Sequence, residues 1–168
     1  VTAALQSHLL ERRVEAGSGE RLSGVDAELA DRIIGCRLVH DAAALAQLRF
    51  AAELTGKAHV AAMRTGRTAA RESDVKAALE AVFLREGVEK SFETIVTTHG
   101  EILHALHSRG TVAPRDLLLC DAGAETEEGW AGDVTRTWPA KGVFTTTQRE
   151  LYQLVLDMQQ AAIRKVRP

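Results

Sequence analysis

Asp121-Ala122-Gly123-Ala124-Glu125 and, a few residues on, Gly132-Asp133-Val134-Thr135-Arg136-Thr137-Trp138-Pro139 decide how this chain is read. Thr126-Glu127-Glu128-Gly129 lies between them as a turn, so Leu117 to Glu125 and Trp130 to Trp138 read as the two strands of a hairpin. A turn centred near Glu127 sets Asp121 directly opposite Asp133. Opposed residues have Cβ atoms ~4.5–5.5 Å apart, where like charges destabilise the pair. Such an arrangement calls for a cation, a shared proton or a different register, and a bulge would supply the last. If a cation is the remedy, carboxylate oxygens suit Mn, Mg or Ca. On spacing alone, two exposed aspartates flanking a turn are the plainer alternative. Two features weigh against it. Asp121 directly follows the apolar run Leu117-Leu118-Leu119-Cys120, and Asp133 lies between Trp130 and the strand-like Val134 to Trp138.

Outward from the hairpin, Thr147-Gln148-Arg149-Glu150 has the form of a capping box. It is expected to open a helix with Leu151, Leu154, Val155, Met158 and Ala162 on one face, ending near Pro168. Upstream, Phe92 to Thr97 is rich in β-branched residues and predicts a strand, and Ile102 to Leu106 is a short apolar piece among three histidines. Earlier still the texture is helical. Residues 1 to 16 predict a helix with Leu5, Leu9 and Leu10 on one side, broken at Gly17-Ser18-Gly19, with a further loop at Ser23-Gly24. Asp26 to Leu38 predicts a second helix with Leu29, Ile33 and Ile34 as its apolar face. Asp41 is placed to cap a long helix from Ala42 to about Thr65, with Leu45, Leu48, Ala52 and Ala58 at helical spacing and Gly66 as its end. Thr68 then caps a helix running to about Glu86, with Val75, Leu79, Val82 and Phe83 as its stripe. Helices, a hairpin and a closing helix make the class α+β.

Composition narrows the function classes. The chain has 168 residues, 45% hydrophobic and 26% charged, which fits a globular protein with a core. A net charge of −2 argues against a nucleic-acid partner or an anionic membrane surface. No apolar run approaches the ~18 residues that span a bilayer, and Val1-Thr2-Ala3-Ala4-Leu5 carries no basic leader region. Cys36 and Cys120 form no disulfide framework, and Cys120 is expected to be a buried thiol. These features make the cytoplasm the expected location.

The two halves of the hairpin motif closely resemble the metal-binding hairpin of the proline-specific metallopeptidases, aminopeptidase P and prolidase, in the pita-bread family that also holds methionine aminopeptidase and creatinase. The resemblance runs on through Gly142 to Glu150 and takes in Leu38 to Met63 upstream. It implies that residues 35–168 are the first half of a pita-bread catalytic domain, helices on a curved and mainly antiparallel sheet, incomplete in this chain. Residues 1–34 would be a linker or the tail of a preceding N-terminal domain.

The resemblance also implies roles for single residues. Asp121 would bind one metal of a pair and Asp133 would bridge both. His104 would contact the substrate or steady the tetrahedral intermediate; taken without the resemblance it is a loop or core histidine. Thr135 would hydrogen-bond near the bridging carboxylate, with an ordinary strand threonine as the alternative. Arg136 is expected to be an ion-pair partner, Trp130 and Trp138 core or rim residues, and His99 and His107 surface or loop residues. The implied chemistry is hydrolysis of Xaa-Pro bonds by a water activated between two divalent ions, manganese first, with zinc, cobalt or magnesium as the other candidates. Substrates would be peptides with proline in the second position, whose fixed ring and missing N–H require a shaped pocket. A homodimer is expected for the full-length protein.

Five protein ligands belong to the implied site: two aspartates, a histidine and two glutamates. The last three lie downstream of the helix that closes this sequence, so the 168 residues alone are expected to bind metal incompletely, or not at all, and to be inactive. The alternative function is a non-catalytic pita-bread module for peptide or protein binding, and a third is a metal-free hydrolase of the creatinase kind. Retention of both aspartates favours the peptidase over either.

Overall fold

The computed structural model describes residues 24–167; the helix expected over residues 1–16 lies outside them. The chain divides into two compact units, Val1–Asp41 and Ala42–Pro168. In the first, helix α1 spans Gly24–Leu38 and begins on Gly24 itself, at φ 58°, where a loop was expected. Its apolar residues Leu29 and Ile34 remain exposed.

The second unit holds three helices and two small sheets among its described residues. Helix α2, Ala42–Gly66, begins and ends close to the expected positions. Helix α3, Glu72–Arg85, packs beside it. The stripe expected on α3 is the buried one. Val75, Leu79 and Phe83 are sealed in the core and Val82 packs against it. Burying side chains of this size contributes about 1.5–3 kcal/mol each.

On α2 the expected stripe is rotated. Leu45 and Ala52 are exposed, and the buried face is Ala44, Ala51, Leu54, Ala58 and Ala62, of which only Ala58 was expected. The reason is steric. This face meets the hairpin at close range, where a Cβ on Gly132 would lie 2.6 Å from Thr55 Oγ1 and 3.1 Å from the Ala51 carbonyl oxygen. Small residues such as Ala51 admit that approach, and Leu45 and Leu48 turn away from the core.

The start of α3 also differs from expectation. The Thr68 and Ala69 amides donate to the Thr65 carbonyl at 3.0 and 2.9 Å, so this stretch closes α2 rather than opening α3. Arg71 is extended, at φ −133° and ψ 153°. The carboxylate of Asp74 then accepts the Arg71 and Ala70 amides at 3.0 and 3.2 Å. An acidic group in this position satisfies donors that a helix leaves unpaired and favours the positive end of its dipole.

Five strands follow. Strand β1 is Glu89–Lys90, β2 is Ile95–Thr97, β3 is Leu117–Ala122, β4 is Ala124–Glu125 and β5 is Val134–Pro139. Strands β2, β3 and β5 form an antiparallel sheet in that order, and β1 pairs with β4 in a second small sheet. Of the strand expected over Phe92 to Thr97, only the last three residues pair. Along β3, Leu118, Cys120 and Ala122 are buried while Leu117, Leu119 and Asp121 are half-buried, the alternation of a strand with one face on the core.

The hairpin is present, but its register is two residues from the expected one. Asp121 pairs with Thr135, and Cys120 with Arg136. The Thr126 amide donates to the Trp130 carbonyl at 2.9 Å, leaving a three-residue loop centred on Glu128 rather than Glu127, with Gly129 at φ 76°. A glycine in the left-handed region at the end of such a loop is a common hairpin solution. Between Ala122 and Ala124 the ladder is interrupted at Gly123, whose missing side chain leaves room for the Gly132 carbonyl and the Ser91 hydroxyl.

Helix α4 spans Thr146–Ile163. Its capping box sits two residues before the expected one. Thr145 Oγ1 accepts the Gln148 amide at 3.2 Å and Gln148 Oε1 accepts the Thr145 amide at 2.9 Å. Three successive threonines offered three frames, and Gln148 also donates to the Arg115 carbonyl at 2.9 Å, which fixes the choice. Phe144 packs against Tyr152 with ring centroids 4.9 Å apart and the ring planes inclined at 53°. The apolar face of α4 is as expected, yet Leu151, Leu154, Val155 and Met158 are all exposed, and no residue of the helix is buried. Among the described residues no helix is long and apolar enough to cross a membrane.

Candidate metal and substrate site

Asp121 stands at the end of β3 on its half-buried face, and Thr135 faces it from β5. The Thr135 hydroxyl donates to Asp121 Oδ1 at 2.7 Å. The hydroxyl thus serves Asp121, whereas the sequence pointed to the neighbourhood of Asp133. Asp133 precedes β5 by one residue and is exposed. With Thr135 opposite Asp121, Asp133 is a diagonal neighbour two residues along, the relation that places cross-strand residues ~7–8 Å apart and on one face.

Asp121, Asp133 and His104 line a single cavity of about 310 Å³, together with Phe92, Glu93, Ile95 and Leu106. Three residues named from the sequence, from three separate segments, therefore meet in one place. His104 is exposed and its backbone is left-handed, at φ 56°. Glu93 belongs to the wall. Lys76 and Lys90 each bind it at 2.5 Å and hold its carboxyl well below the usual range, at about 2. Neither Asp121 nor Asp133 has a cationic partner among the described residues.

Two polar residues of α2 escaped the sequence analysis. The Thr55 hydroxyl donates to the Ala51 carbonyl at 2.7 Å and accepts the Ala124 amide at 3.0 Å. One turn on, His59 is 3% exposed and its Nε2 lies 2.8 Å from the Val134 carbonyl oxygen. A carbonyl only accepts, so Nε2 carries the proton and the imidazole is held as that tautomer. Burial pushes its pKa down from 6.5. Together they tie α2 to both arms of the hairpin. Their signal was available: polar side chains one helical turn apart within a stripe of alanines.

The remaining expectations are met in part. Trp138 is buried and Trp130 half-buried, while His99 and His107 are exposed, His99 Nδ1 lying 2.9 Å from Glu101. Arg136 donates to the Thr135 carbonyl at 2.7 Å rather than to a carboxylate among the described residues. Cys120 is fully buried, and burial pushes its thiol up.

Residues 46–168 match the profile of metallopeptidase family M24. The chain belongs to that family. Among curated relatives it is 39% identical over 149 residues to Xaa-Pro aminopeptidase 2 of Streptomyces coelicolor, covering 85% of this chain and 31% of that protein. It is 38% identical over 135 residues to the Xaa-Pro aminopeptidase of Escherichia coli, covering 79% and 30%. Among solved structures it matches the zinc-substituted E. coli aminopeptidase P in complex with product, with a TM-score of 0.74 at 38% identity over 79% of this chain and 31% of that one. The same enzyme with the inhibitor Pro-Leu gives a TM-score of 0.75. The M24 chain described here thus spans less than a third of the length of these relatives. Its helices and antiparallel sheets are part of the pita-bread fold of aminopeptidase P, as the hairpin motif implied.

Membership of M24 implies divalent metal ions, and the donor chemistry fits them. Two carboxylates on one face, with no cation of the protein's own between them, are oxygen donors suited to a hard divalent ion. Among the described residues no group of three or more such donors gathers to hold an ion.

Proposed function

We propose that these residues form the first part of the catalytic domain of an Xaa-Pro aminopeptidase, the boundary with a preceding segment falling near residue 35. The observation that carries this reading is the meeting of His104, Asp121 and Asp133 around one cavity in a chain of family M24. Asp121 and Asp133 would hold a dinuclear centre, Asp133 between the two ions, with manganese as the first candidate. Bound there, such ions activate water and polarise the scissile carbonyl. The protein's own contributions follow from the geometry. Thr135 fixes the orientation of Asp121 by donating to Oδ1, leaving the other oxygen free to face the cavity. His104, on the wall, would contact the substrate or steady the tetrahedral intermediate. Phe92, Ile95 and Leu106 give the same wall an apolar lining, which suits a proline ring.

The three ligands still needed would come from the remainder of the domain, so the 168 residues alone would not turn over substrate. The test uses the full-length protein and an Xaa-Pro peptide. Metal-dependent release of the residue before proline is expected, abolished by Asp133→Ala with the fold retained. Normal turnover by Asp133→Ala would refute the bridging role. Tight peptide binding without turnover, at every metal tried, would favour the non-catalytic module.

A further inference from the structure

Glu72 opens α3 and is 2% exposed, yet nothing in the chemistry above uses it. A buried carboxylate is tolerated only when its oxygens are satisfied. Here Oε1 accepts the Thr98 amide at 2.7 Å and the Thr98 hydroxyl at 3.0 Å, and Oε2 accepts the Gly110 amide at 2.9 Å. The backbone adds to this at the far end, where the Glu72 amide donates to the Gly110 carbonyl at 3.0 Å and the Val112 amide to the Ala70 carbonyl at 2.9 Å. One side chain therefore gathers both ends of the segment 98–110.

His104 sits near the middle of that segment, in the left-handed region. A non-glycine residue there is disfavoured and persists where its surroundings hold it. The segment's own apolar residues do little holding, since Ile102, Leu103 and Leu106 are all exposed. The constraint comes from the ends. Gly110 shows how closely they are drawn in, because a Cβ there would lie 2.6 Å from Glu72 Oε1.

We propose that Glu72 is a positioning residue, whose carboxylate joins the two ends of segment 98–110 and thereby sets His104 against the cavity lined by Asp121 and Asp133. The link to turnover rests on the peptidase reading; the joining of the loop ends does not.

The test uses the full-length protein. Glu72→Gln keeps the size of the side chain but presents an NH2 group to one of the amides it now accepts. Gly110→Ala presses on the same carboxylate from the loop side, and decides the matter if Glu72→Gln fails to fold. Amide exchange by mass spectrometry is expected to rise roughly tenfold or more over 98–110 in either variant, with Val75 to Phe83 still protected. The kcat/KM for an Xaa-Pro peptide is expected to fall on the order of tenfold to a hundredfold. In a cycle with His104→Ala, Glu72→Gln should add little further loss, because it acts through that residue. Unchanged exchange over 98–110 overturns the proposal, and so does an equal loss with and without His104. Faster exchange combined with a fully active His104→Ala overturns the peptidase role of His104 and supports the joining of the loop ends.

Discussion

Thr135 donates its hydroxyl to Asp121 Oδ1 at 2.7 Å from the position directly opposite it on the neighbouring strand. A ligand held by a hydrogen bond loses less freedom on binding an ion, and partners of this kind typically change metal affinity by about 10- to 100-fold. Thr135→Val keeps the shape and removes the donor. A loss of that order is expected in the full-length protein by competition against a chelator, with Thr135→Ser restoring most of it. Equal affinity in Thr135→Val and the parent would show that Asp121 needs no such support.

The glycine pair beneath the two aspartates makes a stability prediction. Gly123 faces the Gly132 carbonyl and Ser91 at a range that excludes a Cβ, and the Ser91 hydroxyl donates to that carbonyl at 2.8 Å. Gly123→Ala must spread β3 from the segment leading into β5, and overpacking of this kind costs about 1–3 kcal/mol. The denaturation midpoint should fall accordingly. Gly87→Ala serves as the comparison. Its added Cβ meets nothing within 4 Å, and its penalty comes only from φ 70°.

His59 gives the fold a pH dependence with a defined sign. Burial lowers its folded pKa below 6.5, so on acidification the unfolded chain takes up the proton first. Its contribution to stability is present above about pH 6.5 and is lost as pH falls through the lowered value. Denaturant midpoints taken between pH 7 and pH 5 should therefore drop, and His59→Gln should flatten that part of the profile. A profile equally steep in the variant would place the titration elsewhere.

How far the sequence spoke can be judged residue by residue. The stripe of α3 was legible because Val75, Leu79 and Phe83 are large and face the core without competition. The stripe of α2 was not, because alanines surround that helix and the choice between its faces came from the close approach of Gly132. The hairpin and its two aspartates were legible as a motif. Their register was not, since moving the centre of the loop by one residue, from Glu127 to Glu128, moves every pair by two positions while leaving each side chain on its original face. That parity is why Asp121 and Asp133 still line one cavity. His59, Thr55 and Glu72 went unnoticed for a shared reason. Each is a buried polar group whose partners lie on distant segments, 75, 69 and up to 38 residues away, so that even the local cue of Thr55 and His59 one helical turn apart names no partner.

Helix α4 presents Leu151, Leu154, Val155 and Met158 to solvent, a face that an independent domain would cover. The 168-residue chain is expected to bind an apolar dye such as ANS and to self-associate with rising concentration. Leu154→Glu with Met158→Glu should reduce both without altering the core helices. In the full-length protein the dye signal should be small before any substitution is made.

Cys120 lies between Leu119 and Asp121 with its thiol sealed in the core, while Cys36 is exposed. An alkylating reagent therefore meets one thiol at once and the other only when β3 leaves its neighbours. The slow phase is a clock, native to the protein, for how often the strand carrying Asp121 opens. Divalent ions that settle on Asp121 would slow that clock, so that occupancy of the site could be timed through a sulfur atom that never touches it.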